Sequence, residues 1–393
     1  MDEKNSNSYK KSSEFEKRPK PFERKIIACP EDYYPLSKEC RVIGAFNPGV
    51  AQLKTEKGLE TILMIRVAES PSHKHPYWLP FFHIPNKLRP SKLEMGFDKY
   101  SKKEILEEYD KAVRLKENPH NRLKHISLPR LMRLNEQGEI IERKQEPCLY
   151  PSWEYERFGI EDVRITHMED GRYALTYVCP HRDGVMTGLL ITKNFQEFES
   201  VLKKSTPRAT FIGKDVAIFS EKVSSPYETD IIRKNSKVYT ALIRPAAYPD
   251  LSKPRIWVTY SPDLVHWGPP HRLTVPEKGE ATGTGSSLIK INKRWVGPYH
   301  EISEIPKGLR YDTKLINLEE KDPWKNCRTS RILLRREDYL KFLPEKGYNP
   351  NVVYTTGITN NDGITAFFSG IDDTWTVMDK FYTEDLIKFL NDS

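Results

Sequence analysis

Apolar and polar positions along this chain alternate in short runs, not in long helical stripes. After a polar stretch over residues 1–24, one local pattern recurs five times. A short strand opens on small or polar residues, a polar turn follows, and an apolar, β-branched or aromatic strand returns. The copies cover residues 46–67, 161–178, 214–245, 283–300 and 349–373. Glu56-Lys57-Gly58, Glu169-Asp170-Gly171 and Asn361-Asp362-Gly363 read as hairpin turns, because Gly supplies the positive φ such turns require. Further strand pairs lie between copies, such as 256–260 followed by Ser261-Pro262-Asp263. Four strands per unit and five units predict an all-β fold, a five-bladed β-propeller, with a β-sandwich as the alternative.

Three segments depart from that alternation. Residues 101–118 carry apolar positions at Ile105, Leu106, Tyr109, Ala112, Val113 and Leu115, a helical period with Ser101 as N-cap. This predicts a helical insertion on the rim. Short helices are predicted at 336–343 and 383–391. The expected organisation is a flexible N-terminal arm, 1–24, and a single propeller domain, 25–393.

Composition narrows the class. With 37% apolar and 11% aromatic residues, including 20 Tyr and 16 Phe, the chain is able to bury a sizeable core. No run approaches the ~18 apolar residues of a membrane helix, and residues 1–25 lack the apolar run of a secretory signal. A cytoplasmic protein is expected. The five cysteines, scattered and without a C-x-x-C pair, suit reduced thiols better than disulfides or a zinc site. The net charge of +8 is spread over interspersed Lys and Glu. No basic stripe or motif points to nucleic acid, whereas a modest positive excess suits an anionic ligand such as phosphate.

A propeller lines its channel with the first strand of every blade, so polar residues opening the repeats are the candidates for chemistry. These are Asn47, Glu161, Asp162, Arg164, Lys214, Asp215 and Glu221, joined by Arg66, Arg244, Tyr299, His300 and Asp373 at the ends of returning strands. Converging carboxylates, guanidinium groups and aromatics are what a sugar site needs. Blander roles stand beside these: Asp162 as a turn cap, Arg244 and Lys290 as solvated strand ends, His266-Trp267 as blade packing, and Glu221 as a brace for Lys214 or Lys222.

Taken together, these segments resemble glycoside hydrolase family 130, the mannoside phosphorylases and related β-mannosidases. The carrying residues are Phe46-Asn47-Pro48 with Arg66-Val67, Gly159 through Ile165, Lys214-Asp215 with Glu221, and Arg244-Pro245. Ser261-Pro262-Asp263-Leu264 with His266-Trp267, Ile289-Lys290 with Tyr299-His300, and Asn351 through Thr374 complete the match. The resemblance implies a five-bladed propeller in which Asp162 is the general acid, its proton relayed through the mannose 3-hydroxyl. Inorganic phosphate then attacks the anomeric carbon and gives inverted α-mannose 1-phosphate. Asn47, Arg66, Glu161, Lys214, Asp215, Glu221 and Asp373 would bind sugar. Arg164, Arg244, Lys290, Tyr299 and His300 would hold phosphate, with no other cofactor and no metal.

Several positions depart from the family pattern. Val163 replaces the proline after the motif aspartate, Ile243 replaces a histidine, and Ser287-Leu288 stands for Pro-Pro. Glu301 follows His300 where a small residue is usual. Glu301, Glu280 or Glu228 would suit a water-activating base, so an inverting β-mannosidase is the nearest alternative. Synthesis from mannose 1-phosphate and a non-catalytic sugar-binding propeller are the others. The expected partners are a β-mannoside, phosphate and further copies of the same chain, without nucleic acid or membrane. Linkage preference is expected to depend on rim loops such as 95–125.

Overall fold

The computed structural model describes residues 18–393 except 73–76, 85–92, 183, 202–208, 226–227, 229–232, 234–235, 247–252, 274–278, 307 and 345. Among the described residues the chain is nearly all β, with one α-helix, Thr383–Asn391, at the position expected. That helix buries Leu386, Phe389 and Leu390 and leaves Glu384, Asp385 and Lys388 outward, as an amphipathic period requires.

The long strands form antiparallel sheets taken in chain order. The strands Cys40–Thr55, Gly58–Pro71, Ile126–Leu134 and Ile140–Pro147 pair successively. A nine-stranded sheet follows, whose main path runs from Glu161–His167 through Tyr173–His181 and Gly184–Thr192 to Ala209–Ile218, Lys237–Pro245, Trp257–Ser261 and His271–Arg272. Strand pairing between its two halves is a short bulged one, of Met186–Gly188 with Ala209–Ile212. Ala281–Thr284, Arg294–Ile305 and Gly308–Glu319 build the next sheet. In the last, Val353–Asn361, Ile364–Ile371 and Trp375–Tyr382 accept the N-terminal strand Glu23–Ala28.

Apolar clusters join each sheet to its successor. Ile62 and Met64 meet Val163 and Leu175, Leu189 and Ile191 meet Ile218 and Ile243, and Leu242 and Tyr260 meet Trp295 and Ile316. Val296 and Leu315 then meet Phe367 and Val377. Finally Ile27 and Phe368 pack back on Leu63 and Met132, so the last sheet covers the first. The opening strands Cys40–Thr55, Glu161–His167, Ala209–Ile218, Ala281–Thr284 and Val353–Asn361 contact one another at the centre.

Two expectations are corrected here. Residues 101–118 form no helix: one 3-10 turn, Lys102–Glu104, precedes strands Ile105–Glu108 and Ala112–Leu115, and Asn118–Leu123 completes a three-stranded sheet. Ile105, Val113 and Leu115 pack against Tyr77, Leu79 and Tyr100, while Leu106 and Tyr109 stay exposed. The apparent helical stripe thus mixed two faces, and burial of the alternating set decided the structure. The segment 336–343 is likewise a single 3-10 turn, Arg336–Tyr339, pinned by the Arg336–Asp372 ion pair at 2.6 Å.

The arm is also shorter than expected. Arg18 pairs with Asp338 at 2.8 Å, Phe22 stacks on Tyr382 at 4.6 Å, and a strand begins at Glu23. Residues 1–17 of the expected arm lie outside the described residues.

Candidate active site

Three of the opening strands carry the same local device. Asn47-Pro48 stands opposite Ile65, Asp162-Val163 opposite Tyr177, and Asp215-Val216 opposite Ile243; each is a bulge of two residues against one. The first residue of each is left-handed, with φ of 46° at Asn47, 46° at Asp162 and 58° at Asp215. Asn and Asp tolerate that region better than other non-glycine residues, and a bulge re-aims the side chain it carries. The three side chains enter one polar cluster. Val163 is compatible with the second bulge position, where it is buried against the first sheet.

One side of the cluster is carboxylate-rich. Asp162 Oδ1 accepts from Arg66 Nη1 at 2.8 Å and Asn47 Nδ2 at 2.9 Å. Its Oδ2 has no hydrogen bond among the described residues, and the side chain keeps 13% exposure. Arg66 Nη2 donates to Glu161 at 2.6 Å. Burial pushes the Asp162 carboxyl up, but Arg66, Arg164 and the Asn47 hydrogen bond outweigh it and hold it below its ordinary range. Burial carries Glu161 to about 7 despite Arg66. Asp373 is also raised by burial, and accepts from Asn349 at 2.6 Å.

The other side is cationic. Arg164 is buried and donates to Asp215 Oδ1 at 3.1 Å, Gly285 O at 2.7 Å, Asp162 O at 3.1 Å and Tyr354 Oη. Arg244 Nε lies 3.0 Å from Asp215 Oδ2, and its Nη1 lies 3.3 Å from His300 Nε2. Tyr354 donates to Asp215 at 2.9 Å. Burial raises the Asp215 carboxyl, but Arg244 and Arg164 reverse this and hold it far below its usual value. Lys214, which has no hydrogen bond or ion pair among the described residues, is lowered first by Arg244 and then by burial. His300, lowered to about 3 chiefly by burial, is neutral. It packs on Tyr311 and Tyr354 at ring separations of 5.6 and 4.6 Å. Gly283 admits this packing, since a Cβ there would stand 2.3 Å from Asp215 Oδ2 and 2.4 Å from His300 Cε1.

Of the residues singled out from sequence, Asn47, Arg66, Glu161, Asp162, Arg164, Lys214, Asp215, Arg244, His300 and Asp373 come together. Four do not. Lys290 and Glu221 pair at 2.7 Å on the surface, with Glu320 2.6 Å from the same ammonium. Glu221 therefore braces Lys290, neither Lys214 nor Lys222. Tyr299 and Glu301 flank His300 on one strand and so face the other side of the sheet. Tyr299 joins the apolar cluster around Trp295, and Glu301 pairs with Lys314 at 2.8 Å. Glu280 pairs with Lys253 on the surface, and Trp267 packs against Phe211, the packing role.

Sequence reasoning missed His125, Tyr311, Tyr348, Asn349 and Tyr354. Tyr354 and Asn349 lie within the repeat read at 349–373, but which of its residues face inward depends on the local backbone, which is left-handed at Asn351. Among the described residues no group of three or more His, Cys, Asp or Glu is arranged to hold a metal ion.

The family model for glycoside hydrolase family 130, described as β-1,4-mannooligosaccharide phosphorylase, matches residues 124–392. The chain is 30% identical over 364 residues to the β-1,2-mannobiose phosphorylase of Listeria innocua, covering 90% of this chain and 93% of that one. The solved structure of β-1,2-mannobiose phosphorylase from Listeria innocua, in complex with β-1,2-mannobiose, superposes with a TM-score of 0.75 at 26% identity, covering 93% and 97% of the two chains. A mannose phosphorylase from Leishmania mexicana in complex with phosphate ion shares the fold, with TM-score 0.56 at 10% identity over 98% and 95%. The chain belongs to glycoside hydrolase family 130 and is an enzyme of its β-mannoside phosphorylase and glycosidase type.

Proposed function

We propose that the protein cleaves β-mannosides by inverting phosphorolysis. The observation that carries this reading is the cationic side of the cluster. Arg164, Arg244 and Lys214 crowd around one carboxylate, Asp215, and Lys214 has no partner of its own among the described residues. A surplus of buried positive charge beside a proton donor suits an anionic nucleophile that needs holding, not deprotonating. The hydrolytic alternative needs a carboxylate base, and Glu301 is turned to the opposite sheet face and neutralised by Lys314.

In the proposed reaction, a phosphate oxygen attacks the anomeric carbon while the glycosidic C–O bond breaks on the other face. The leaving oxygen takes a proton from Asp162, relayed through the mannose 3-hydroxyl, and α-mannose 1-phosphate forms. Asp162 must be protonated to act, although Arg66 and Arg164 depress it. Phosphate seated at Arg164 offsets part of that charge, so co-substrate binding moves the Asp162 pKa upward, as an acid requires. Asn47, Arg66, Glu161, Lys214 and Asp373 supply the donors and acceptors for the mannosyl hydroxyls, with Lys214 shared between sugar and phosphate, while Asp215 holds Arg164 and Arg244 in place.

β-1,2-mannobiose is the substrate to test first, because the relative acting on it matches 90% of the chain, whereas the β-1,4 description belongs to a model matching residues 124–392. Incubation with and without phosphate decides the reaction. Phosphate-dependent appearance of α-mannose 1-phosphate is expected; free mannose released without phosphate would overturn the reading.

We further infer that the sheets are the blades of one five-bladed propeller domain. The bulged join at Met186–Gly188 separates two of them, and the N-terminal strand closes the ring. All five cysteines are free thiols, which suits the cytoplasm.

A further inference from the structure

We propose that the insertion over residues 101–124 is part of the active site, with Lys111 as a positioning residue for the sugar-facing carboxylate Asp373. The inference rests on the reading of Asp373 as a sugar ligand. Lys111 lies between the insertion strands Ile105–Glu108 and Ala112–Leu115. Its ammonium donates to Asn349 Oδ1 and stands 5.6 Å from the centre of the Tyr348 ring. Asn349 Nδ2 in turn donates to Asp373 Oδ2 at 2.6 Å. Only this orientation of the Asn349 amide serves both partners, because an ammonium has no acceptor and a carboxylate has no donor.

A second contact runs alongside. His125, where the chain leaves the insertion, lies 3.2 Å from Tyr348 Oη through Nδ1 and 3.3 Å from Arg66 Nη2 through Nε2. Burial lowers its pKa to about 3, so the ring is neutral. Arg66 donates only, so Nε2 accepts and the ring proton sits on Nδ1, facing Tyr348. Lys124 N bonds Lys111 O at 2.9 Å and ties the two contacts together. The insertion therefore grips the adjacent residues Tyr348 and Asn349 from two points. Through them it fixes Asp373 and Arg66, the sugar side of the cluster. None of its hydrogen bonds among the described residues reaches Lys214, Asp215, Arg244 or His300.

This geometry separates two binding steps. Without the Lys111 ammonium, Asn349 is free to turn and Asp373 loses its fixed orientation, while the cationic pocket stays as it is. Burial lowers the Lys111 pKa, while the carboxylates of Asp373, Asp110 and Asp372 favour its ammonium form.

The test is Lys111→Met, with Lys111→Arg as the charge-retaining control and thermal melting as a check on folding. The KM for β-1,2-mannobiose should rise about tenfold, the size of one charge-assisted hydrogen bond. The phosphate KM should change less than about twofold, within ordinary scatter for an untouched contact, and Lys111→Arg should recover part of the loss. An unchanged sugar KM, or equal increases for sugar and phosphate, would overturn the proposal. Calorimetric titration with mannobiose in the absence of phosphate reads the same weakening without turnover. If the wild type binds the disaccharide but shows no phosphate-dependent cleavage, the proposed reaction fails and the titration still decides the role of Lys111. A wild type that binds no β-mannobiose overturns both.

Discussion

On the strands Glu161–His167 and Ala209–Ile218 an aspartate takes the left-handed residue of the same bulge, at φ 46° for Asp162 and 58° for Asp215. Backbone and residue type are alike; the surroundings are not. Asp215 is 2% exposed and is enclosed by Arg164, Arg244 and Tyr354, so its charge is spent on holding cations in place. Asp162 takes both of its hydrogen bonds on Oδ1 and leaves Oδ2 open at 13% side-chain exposure. A carboxylate closed in by guanidinium groups cannot deliver a proton, whereas one with an unengaged, partly exposed oxygen has a path. Local sequence sets the geometry of each aspartate, and the partners brought by other sheets set its use.

The sharpest break of this comparison is the pair of Asp→Asn substitutions. Asp162→Asn keeps shape but removes the transferable proton, so kcat should fall by roughly 10²–10⁴-fold, with sugar binding and melting little changed. An activated aryl mannoside, whose leaving group needs little protonation, should recover part of the loss. Equal impairment on natural and activated substrates would count against Asp162 as the acid. Asp215→Asn should act differently, leaving two buried guanidinium groups without their counter-charge at a cost of about 3–5 kcal/mol. Denaturant unfolding should show that loss; unchanged stability would mean that the two aspartates are interchangeable.

A smaller effect is expected at Lys214. Lys214→Met should raise the phosphate KM by about ten- to a hundredfold, as for a lost hydrogen bond to a charged group. Steady-state kinetics at varied phosphate would check this.

Glu161 allows a pH test on the acid side. Its native pKa, raised to about 7 by burial, exceeds that of an exposed glutamate near 4.5, so between these values the native state holds the proton more tightly. Its contribution to stability is therefore present below about 4.5 and lost as pH rises to 7. The melting temperature of Glu161→Gln relative to wild type should climb across that window, and a flat difference would remove the assignment. The least effect belongs to Lys290→Ala. Its exposed pairs with Glu221 and Glu320 are worth about 0–1 kcal/mol, and phosphate KM should not move.

Much of this was legible in the chain itself. Hairpin glycines and alternating runs marked the strands, and Asx residues opening the repeats marked Asn47, Asp162 and Asp215, because backbone preference acts locally. Lys290, Glu221, Tyr299 and Glu301 were misplaced for a reason that sequence does not carry. Whether a residue beside a recognised one faces the polar cluster depends on the register of its strand, and one step along a strand reverses the face. Residues 101–118 read as a helix because their apolar spacing fits either period; contact with Tyr77, Leu79 and Tyr100 chose strands. His125, Tyr348 and Asn349 join the site through contacts as remote in sequence as Lys111 to Asn349. The sequence by itself thus determined the repeated strands, the polar residues that open them and the family. Only the tertiary structure decided which charges meet, because burial and pairing, which set the states of Asp162, Asp215 and Glu161, come from sheets that are distant along the chain.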